Sequence, residues 1–239
     1  MKLSVHPNAG MASAAAAELL LEWLTAPPVR NVMLAAGNTP LELYRLIAAR
    51  NPSRSDLHIF ALDEYVGVPL NEPRNCANLI RRTAVAPWGV PMMQYFSVSS
   101  LEADALASVQ DHERKITEAG GLDVIVLGLG QNGHLGFNEP GSAEDSVARV
   151  LDLDAISIEA NRKWFNGDFT PARGVTVGMK TILGARRVLL MAYGPHKAAA
   201  VNSMLDGPRS EQCPASFLQG HPNVTLFLDL AAAGTKVRR

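Results

Sequence analysis

Apolar runs alternate with amphipathic stretches along almost the whole chain. Met1 to His6 reads as a first strand. The Ala-rich run Met11–Leu24 reads as a helix and not as a signal peptide, because Glu18 and Glu22 interrupt it. Val32–Ala36 is an apolar run followed by a helical pattern from Pro40 to Ala49. His58–Leu62 precedes a loop and a helix near Asn75 to Val85, and Leu101–Ala119 is again helical. Leu122–Gly128 and Arg149–Leu153 read as strands, and Ala160–Arg173 as irregular. Arg187–Tyr193 is a buried strand, His196–Leu205 a helix, and Asn223–Leu228 the closing strand. Continuous Val/Ile/Leu runs mark strands covered on both faces, which belong to parallel sheets between helices. The expectation is an α/β protein: one three-layer domain over residues 1–239 with a mostly parallel, Rossmann-like sheet flanked by helices.

Composition narrows the function classes. With 239 residues the chain can bury roughly 70–75% of its unfolded surface. A net charge of −1 gives no electrostatic reason to expect nucleic acid or a membrane surface as partner. No stretch reaches ~18 uninterrupted apolar residues, so no membrane span is expected. Cys76 and Cys213 are too few for a disulfide framework or a zinc site, so a reducing cytoplasm fits, and both read as small core residues. The last strand is followed closely by Arg239, which suggests that long C-terminal regulatory elements are absent.

In open sheets of this type ligands bind beyond the carboxyl ends of the strands, so those positions carry the argument. After Ala36 comes Gly37-Asn38-Thr39-Pro40, with Thr39 as a helix cap and Pro40 in the first turn. Exposed N–H groups there suit a phosphate, although simple capping gives the same pattern. After Leu62 come two adjacent carboxylates, Asp63 and Glu64. Asp63 directly prolongs the buried strand and is the better candidate for a desolvated base; a solvated acidic loop is the alternative. After Tyr193, Gly194-Pro195-His196-Lys197 opens a helix. A lysine at a helix N-terminus opposes the macrodipole unless an anion sits there too, which hints at a two-sided phosphate clamp.

The central strand runs into Gly128, Gly130 and Gly133, a formal G-x-G-x-x-G. A dinucleotide fingerprint must open a helix, but Gly136, Pro140 and Gly141 break any helix here. The glycines lead instead to His134, Asn138 and Glu139 on a short loop. Glu139 or Asn132 is placed to hold the imidazole and fix its tautomer. His6, His58, His112, His196 and His221 lack such a context and read as structural or surface residues. No metal is expected, because the nitrogen and sulfur ligands zinc needs are missing nearby.

Together, Leu62-Asp63-Glu64-Tyr65-Val66-Gly67 and Gly128 through Gly141 resemble the hexosamine-6-phosphate deaminase/isomerase family. The resemblance extends to Gly174–Gly178 and Pro214–Leu218, and Gln131-Asn132-Gly133-His134 is most similar to the galactosamine-6-phosphate branch. It implies conversion of a small-molecule partner, glucosamine or galactosamine 6-phosphate, to a ketose 6-phosphate and ammonia, without metal or nucleotide cofactor. By position it implies that Asp63 shuttles the proton between sugar C1 and C2, and that His134, supported by Glu139, opens the ring. Gly37, Asn38, Thr39 and Lys197 fall where that family holds the phosphate, with Arg162 or Lys163 as a further cation. Asn132 stands where the glucosamine pattern has an aspartate, so ring opening would depend on Glu139 alone. A monomer or small homo-oligomer is expected. The rival readings are a 6-phosphogluconolactonase-like hydrolase, which does not usually continue with Phe137-Asn138-Glu139-Pro140, and a non-catalytic sugar-phosphate-binding protein.

Overall fold

A computed structural model describes residues 1–26, 28–50 and 52–234; Arg239 and the residues just before it lie outside that range. In chain order the first elements are β1 (Lys2–His6), α1 (Ala9–Thr25), β2 (Asn31–Leu34), α2 (Asn38–Ala48), β3 (His58–Ala61) and β4 (Asp63–Tyr65). Next come α3 (Cys76–Ile80), a π-helical turn at Arg81–Val85, β5 (Tyr95–Phe96), α4 (Ala105–Glu118) and β6 (Val124–Gly128). The last part holds β7 (Arg149–Asp152), α5 (Ala155–Trp164), β8 (Arg173–Thr176), α6 (Met179–Leu183), β9 (Arg187–Ala192), α7 (Ala198–Asp206), β10 (Val224–Asp229) and α8 (Leu230–Ala233).

Seven strands form one sheet in the order β1-β10-β9-β6-β2-β3-β5, every neighbouring pair parallel. Strand alternation divides the side chains between two cores. Met33, Ile125, Leu127, Val188 and Leu190 face one layer of helices, while Val32, Leu34, Val124, Val126, Leu189 and Met191 face the other. Each fully buried side chain of this size contributes about 1.5–3 kcal/mol. The mostly parallel sheet between helices agrees with the sequence pattern.

Three local features depart from it. Arg149–Asp152 is not part of the large sheet; β7 joins β8 and β4 in a separate antiparallel sheet, where Asp63 pairs with Thr176. The segment read as irregular from Ala160 begins inside a helix, α5, capped by Asp154, whose carboxylate accepts from Ile156 N at 2.8 Å. Thr39 is not the cap of α2; the chain enters that helix through Gly37 at φ 94°, a conformation that favours glycine.

β2 is the point where the strand order reverses. From it the chain runs outward to β3 and β5, then crosses back to β6 on the other side. The carboxyl ends of β2 and β6 therefore diverge around a crevice, the usual ligand position in open α/β sheets.

Candidate active site

That crevice is lined from six segments: Ala35–Thr39 after β2; Leu62, Asp63 and Tyr65 at β4; Arg74 and Cys76 before and in α3; Gly128–Gly130, His134, Gly136 and Phe137 at the end of β6 and after it; Trp164 of α5; and Lys197 after β9. An adjoining outer part is covered by α5 through Ile156, Ser157, Ala160, Asn161 and Trp164.

Gly37 turns the chain so that α2 starts without a side-chain cap. Pro40 has no N–H, which leaves the Asn38 and Thr39 amides and the Thr39 hydroxyl as donors at this edge. Across the crevice, Lys197 Nζ donates to Leu129 O at 2.6 Å. Burial lowers the lysine's pKa to about 8. Its loop is held by Gly194 N–H, which donates to both Asp229 carboxylate oxygens at 3.0 Å.

The two adjacent acids separate completely. Glu64 turns its carboxylate to α3, accepting from Tyr65 N at 2.8 Å, Cys76 N at 3.1 Å and Ala77 N at 2.9 Å. Burial nevertheless raises it to about 7, against the pull of those amides. Asp63 lines the crevice and is raised further, to about 8, by burial first and by the neighbouring Glu64 charge second; the Cys76 thiol beside it acts in the opposite direction. A carboxyl held in that range is suited to proton transfer near neutral pH.

The glycine turn after β6 delivers the imidazole. Gly133 N donates to Gly130 O at 3.2 Å, and Gly130 N to His134 O at 3.0 Å, closing a tight loop. Gly130 lies directly under the ring: a Cβ there would collide with it. His134 Nδ1 and Glu139 Oε2 are 3.0 Å apart. With Nδ1–H donating to the carboxylate, Nε2 is the ring nitrogen free for a ligand. Asn132 directs its hydrogen bonds to the groups around the ring. Its Nδ2 donates to Glu139 Oε2 at 2.8 Å, and its Oδ1 accepts from His134 N at 3.2 Å. Burial pushes the Glu139 carboxyl up, but hydrogen bonds from His134 and Asn132, the imidazole charge and the Ser157 hydroxyl nearby together hold it below its usual value.

Arg162 and Lys163 do not line the crevice. Both are exposed on α5 and pair with Glu159, at 2.9 and 3.2 Å. Positions 156, 157, 160, 161 and 164 form the helix face over the crevice, and 162 and 163 fall off it. Arg74, which the sequence did not single out, does line it. Its charge is matched by Glu72 at 2.5 Å and Asp168 at 2.9 Å, and it lies over the Phe165 ring. Cys76 is buried, as expected, but at the crevice wall; Cys213 packs against Gly133. His196 lines the outer part, which its surface reading did not foresee. His112 and His221 are structural, bonded to Ala61 O at 2.8 Å and Ala185 O at 2.7 Å. Among the described residues no group of three or more His, Cys, Asp or Glu is placed to hold a metal ion. No described helix is long and apolar enough to cross a membrane.

The family model for "glucosamine-6-phosphate isomerases/6-phosphogluconolactonase" matches residues 8–227. The chain belongs to this family. Within the glucosamine-6-phosphate isomerase/6-phosphogluconolactonase family, a curated relative from Rhodopirellula baltica, named glucosamine-6-phosphate deaminase, is 38% identical, covering 100% of this chain and 97% of the relative. A glucosamine-6-phosphate deaminase from Cutibacterium acnes is 40% identical over 84% of this chain and 78% of its own. Among solved structures, a monomeric glucosamine-6-phosphate deaminase superposes with a TM-score of 0.93 at 31% identity, covering 100% of both chains. The 6-phosphogluconolactonase of Trypanosoma brucei shares the fold, with a TM-score of 0.80 at 23% identity over 97% of each chain. In this family member Phe137 packs against Tyr65 with the ring centroids 5.0 Å apart and the planes tilted by 52°, and Gly174 makes room for its ring.

Proposed function

We propose that this chain is a hexosamine-6-phosphate deaminase/isomerase that converts glucosamine 6-phosphate, water added, to fructose 6-phosphate and ammonia. The observation that carries the reading is that Asp63 and the His134–Glu139 pair open onto one crevice with Lys197 and the bare amides of α2. Curated relatives bearing the glucosamine-6-phosphate deaminase name support the gluco epimer over the galacto epimer.

The chemistry follows from the groups present. Lys197 and the Gly37–Thr39 edge hold the 6-phosphate; Arg162 and Lys163, outside the crevice, are not needed for this. His134 Nε2 moves a proton from the C1 hydroxyl to the ring oxygen, opening the sugar to its aldehyde. The substrate's ammonium brings a positive charge beside Asp63, which favours its carboxylate form. Asp63 takes the C2 proton and returns it at C1, while one proton of the ammonium group passes to the C1 oxygen, leaving a CH2OH group at C1 and an iminium at C2. Water adds there and ammonia departs. Each proton-transfer group contributes on the order of 10²–10⁴ in rate.

The same reading takes residues 1–239 as one domain acting as a cytoplasmic monomer, supported by the family match over 8–227 and by the monomeric structural neighbour. Light scattering on the purified protein tests the monomer. The activity is tested by ammonia release from glucosamine 6-phosphate and galactosamine 6-phosphate side by side, with 6-phosphogluconolactone hydrolysis as a third arm. Ammonia from the gluco epimer supports the proposal; lactone hydrolysis without ammonia release overturns it.

A further inference from the structure

The first turn of α5 brings one hydroxyl to the acid–base pair. Ser157 is buried, and its Oγ lies 3.3 Å from His134 Nδ1. Hydroxyls inside helices commonly bond back to the carbonyl four residues earlier. Thr25, Thr83 and Thr117 do so here. The Ser157 hydroxyl instead leaves its own helix and meets a loop carried by β6. His134 Nδ1–H is directed at Glu139, and the Ser157 oxygen lies against the same N–H as a second acceptor. One turn further along α5, Asn161 Oδ1 accepts from the Tyr65 hydroxyl at 3.0 Å. The two residues are four apart, hence on one helix face. α5 is thereby fastened to β4, the strand that carries Asp63, and to the His134 loop at once.

We propose that Ser157 is a positioning residue: its hydroxyl oxygen shares the His134 Nδ1–H with Glu139, fixing His134 with Nδ1 protonated and Nε2 bare toward the crevice. The inference rests on the deaminase reading of the site. Ser157 acts through His134 and not on the sugar, so its loss slows the proton transfers and leaves substrate binding alone.

The test uses Ser157→Ala and Ser157→Thr in the full chain. Steady-state kinetics with glucosamine 6-phosphate are combined with ¹⁵N NMR of the His134 ring in the unliganded protein. For Ser157→Ala, kcat falls about tenfold, with KM within about twofold, as loss of one hydrogen bond would give. The ring nitrogens then show mixed tautomers in place of one. Ser157→Thr, which keeps the hydroxyl, restores kcat and the single tautomer. An unchanged kcat and tautomer in Ser157→Ala overturns the proposal. So does a raised KM with kcat intact, since that makes the hydroxyl a substrate contact. If the wild-type protein turns over no hexosamine phosphate, the functional reading fails, and the tautomer measurement still decides the role of Ser157.

Discussion

Asn132 Nδ2 donates to Glu139 Oε2 at 2.8 Å, so the amide holds the carboxylate and leaves the imidazole ring to Glu139. An aspartate at this position has no proton to give in its ionised form. Two carboxylates this close cannot both ionise freely, and one of them binds a proton well above the usual range. The consequence for Asn132→Asp is a second group titrating on the acid side of the kcat/KM profile, which steepens that limb. Asn132→Ala leaves the limb in place and lowers kcat about tenfold through the lost donor. A pH–rate series on the two variants separates these outcomes.

Asp63→Asn removes the proton shuttle, and turnover falls by about 10²–10⁴. Its effect on stability has the opposite sign. The folded pKa of Asp63 is raised to about 8 from an ordinary value of 3.8. Its favourable contribution is therefore complete below about pH 4 and is lost as pH rises through about 8. The variant carries no such loss, so it gains on the wild type with rising pH, by on the order of a few kcal/mol above pH 8. Urea unfolding at pH 5 and pH 9 measures the difference; equal gaps at the two pH values would contradict it.

Lys197 and Asp63 impose opposite limbs on the free enzyme. Lys197, lowered to about 8 by burial, loses its charge as pH rises, while Asp63 gains its own over the same range. The kcat/KM profile is therefore a narrow bell centred near pH 8. Lys197→Met raises KM by about 10²-fold and flattens the alkaline limb, as loss of a charged phosphate contact predicts. A sulfate or phosphate competition assay shows the same weakening.

Gly130→Ala drives a methyl group into the His134 ring, closer than real side chains approach. The ring must swing off its seat, and with it the bond to Glu139. Turnover drops by at least about 10²-fold. The melting temperature moves little, because the crevice side of the ring is open. Activity and a thermal scan on the same preparation check both halves.

Much of this molecule is legible in the chain. Val32–Leu34, Val124–Leu127 and Val188–Met191 announce strands covered on both faces, and the groups after them converge because parallel strands share one carboxyl edge. Asp63 is distinguishable from Glu64 because it directly prolongs an apolar run. α5 is not legible, since the residues it buries are Ser157 and Asn161 and leave no apolar stripe. The separate sheet is hidden because β4 follows β3 after a single residue, Leu62, and reads as its continuation. Arg74 sits in the loop before α3, where no periodicity shows which side chains turn to the crevice, and the helix read near Asn75 does not by itself place Cys76 at its wall. The partner of Asn132 depends on how the loop folds back, which residue spacing alone does not set.

The pairing of β2 with β6 also bears on how the protein matures. These strands meet in register, Val32 with Val124 and Leu34 with Val126, and Ala35 N caps the ladder by donating to Val126 O at 3.1 Å. They are far apart in the chain, and contacts of such long range form slowly because loop closure must precede them. The phosphate edge and the imidazole loop hang from the two members of this one pair. A refolding chain can thus regain much of its helix before it regains any crevice, and recovered enzymatic activity reports the moment this central ladder closes.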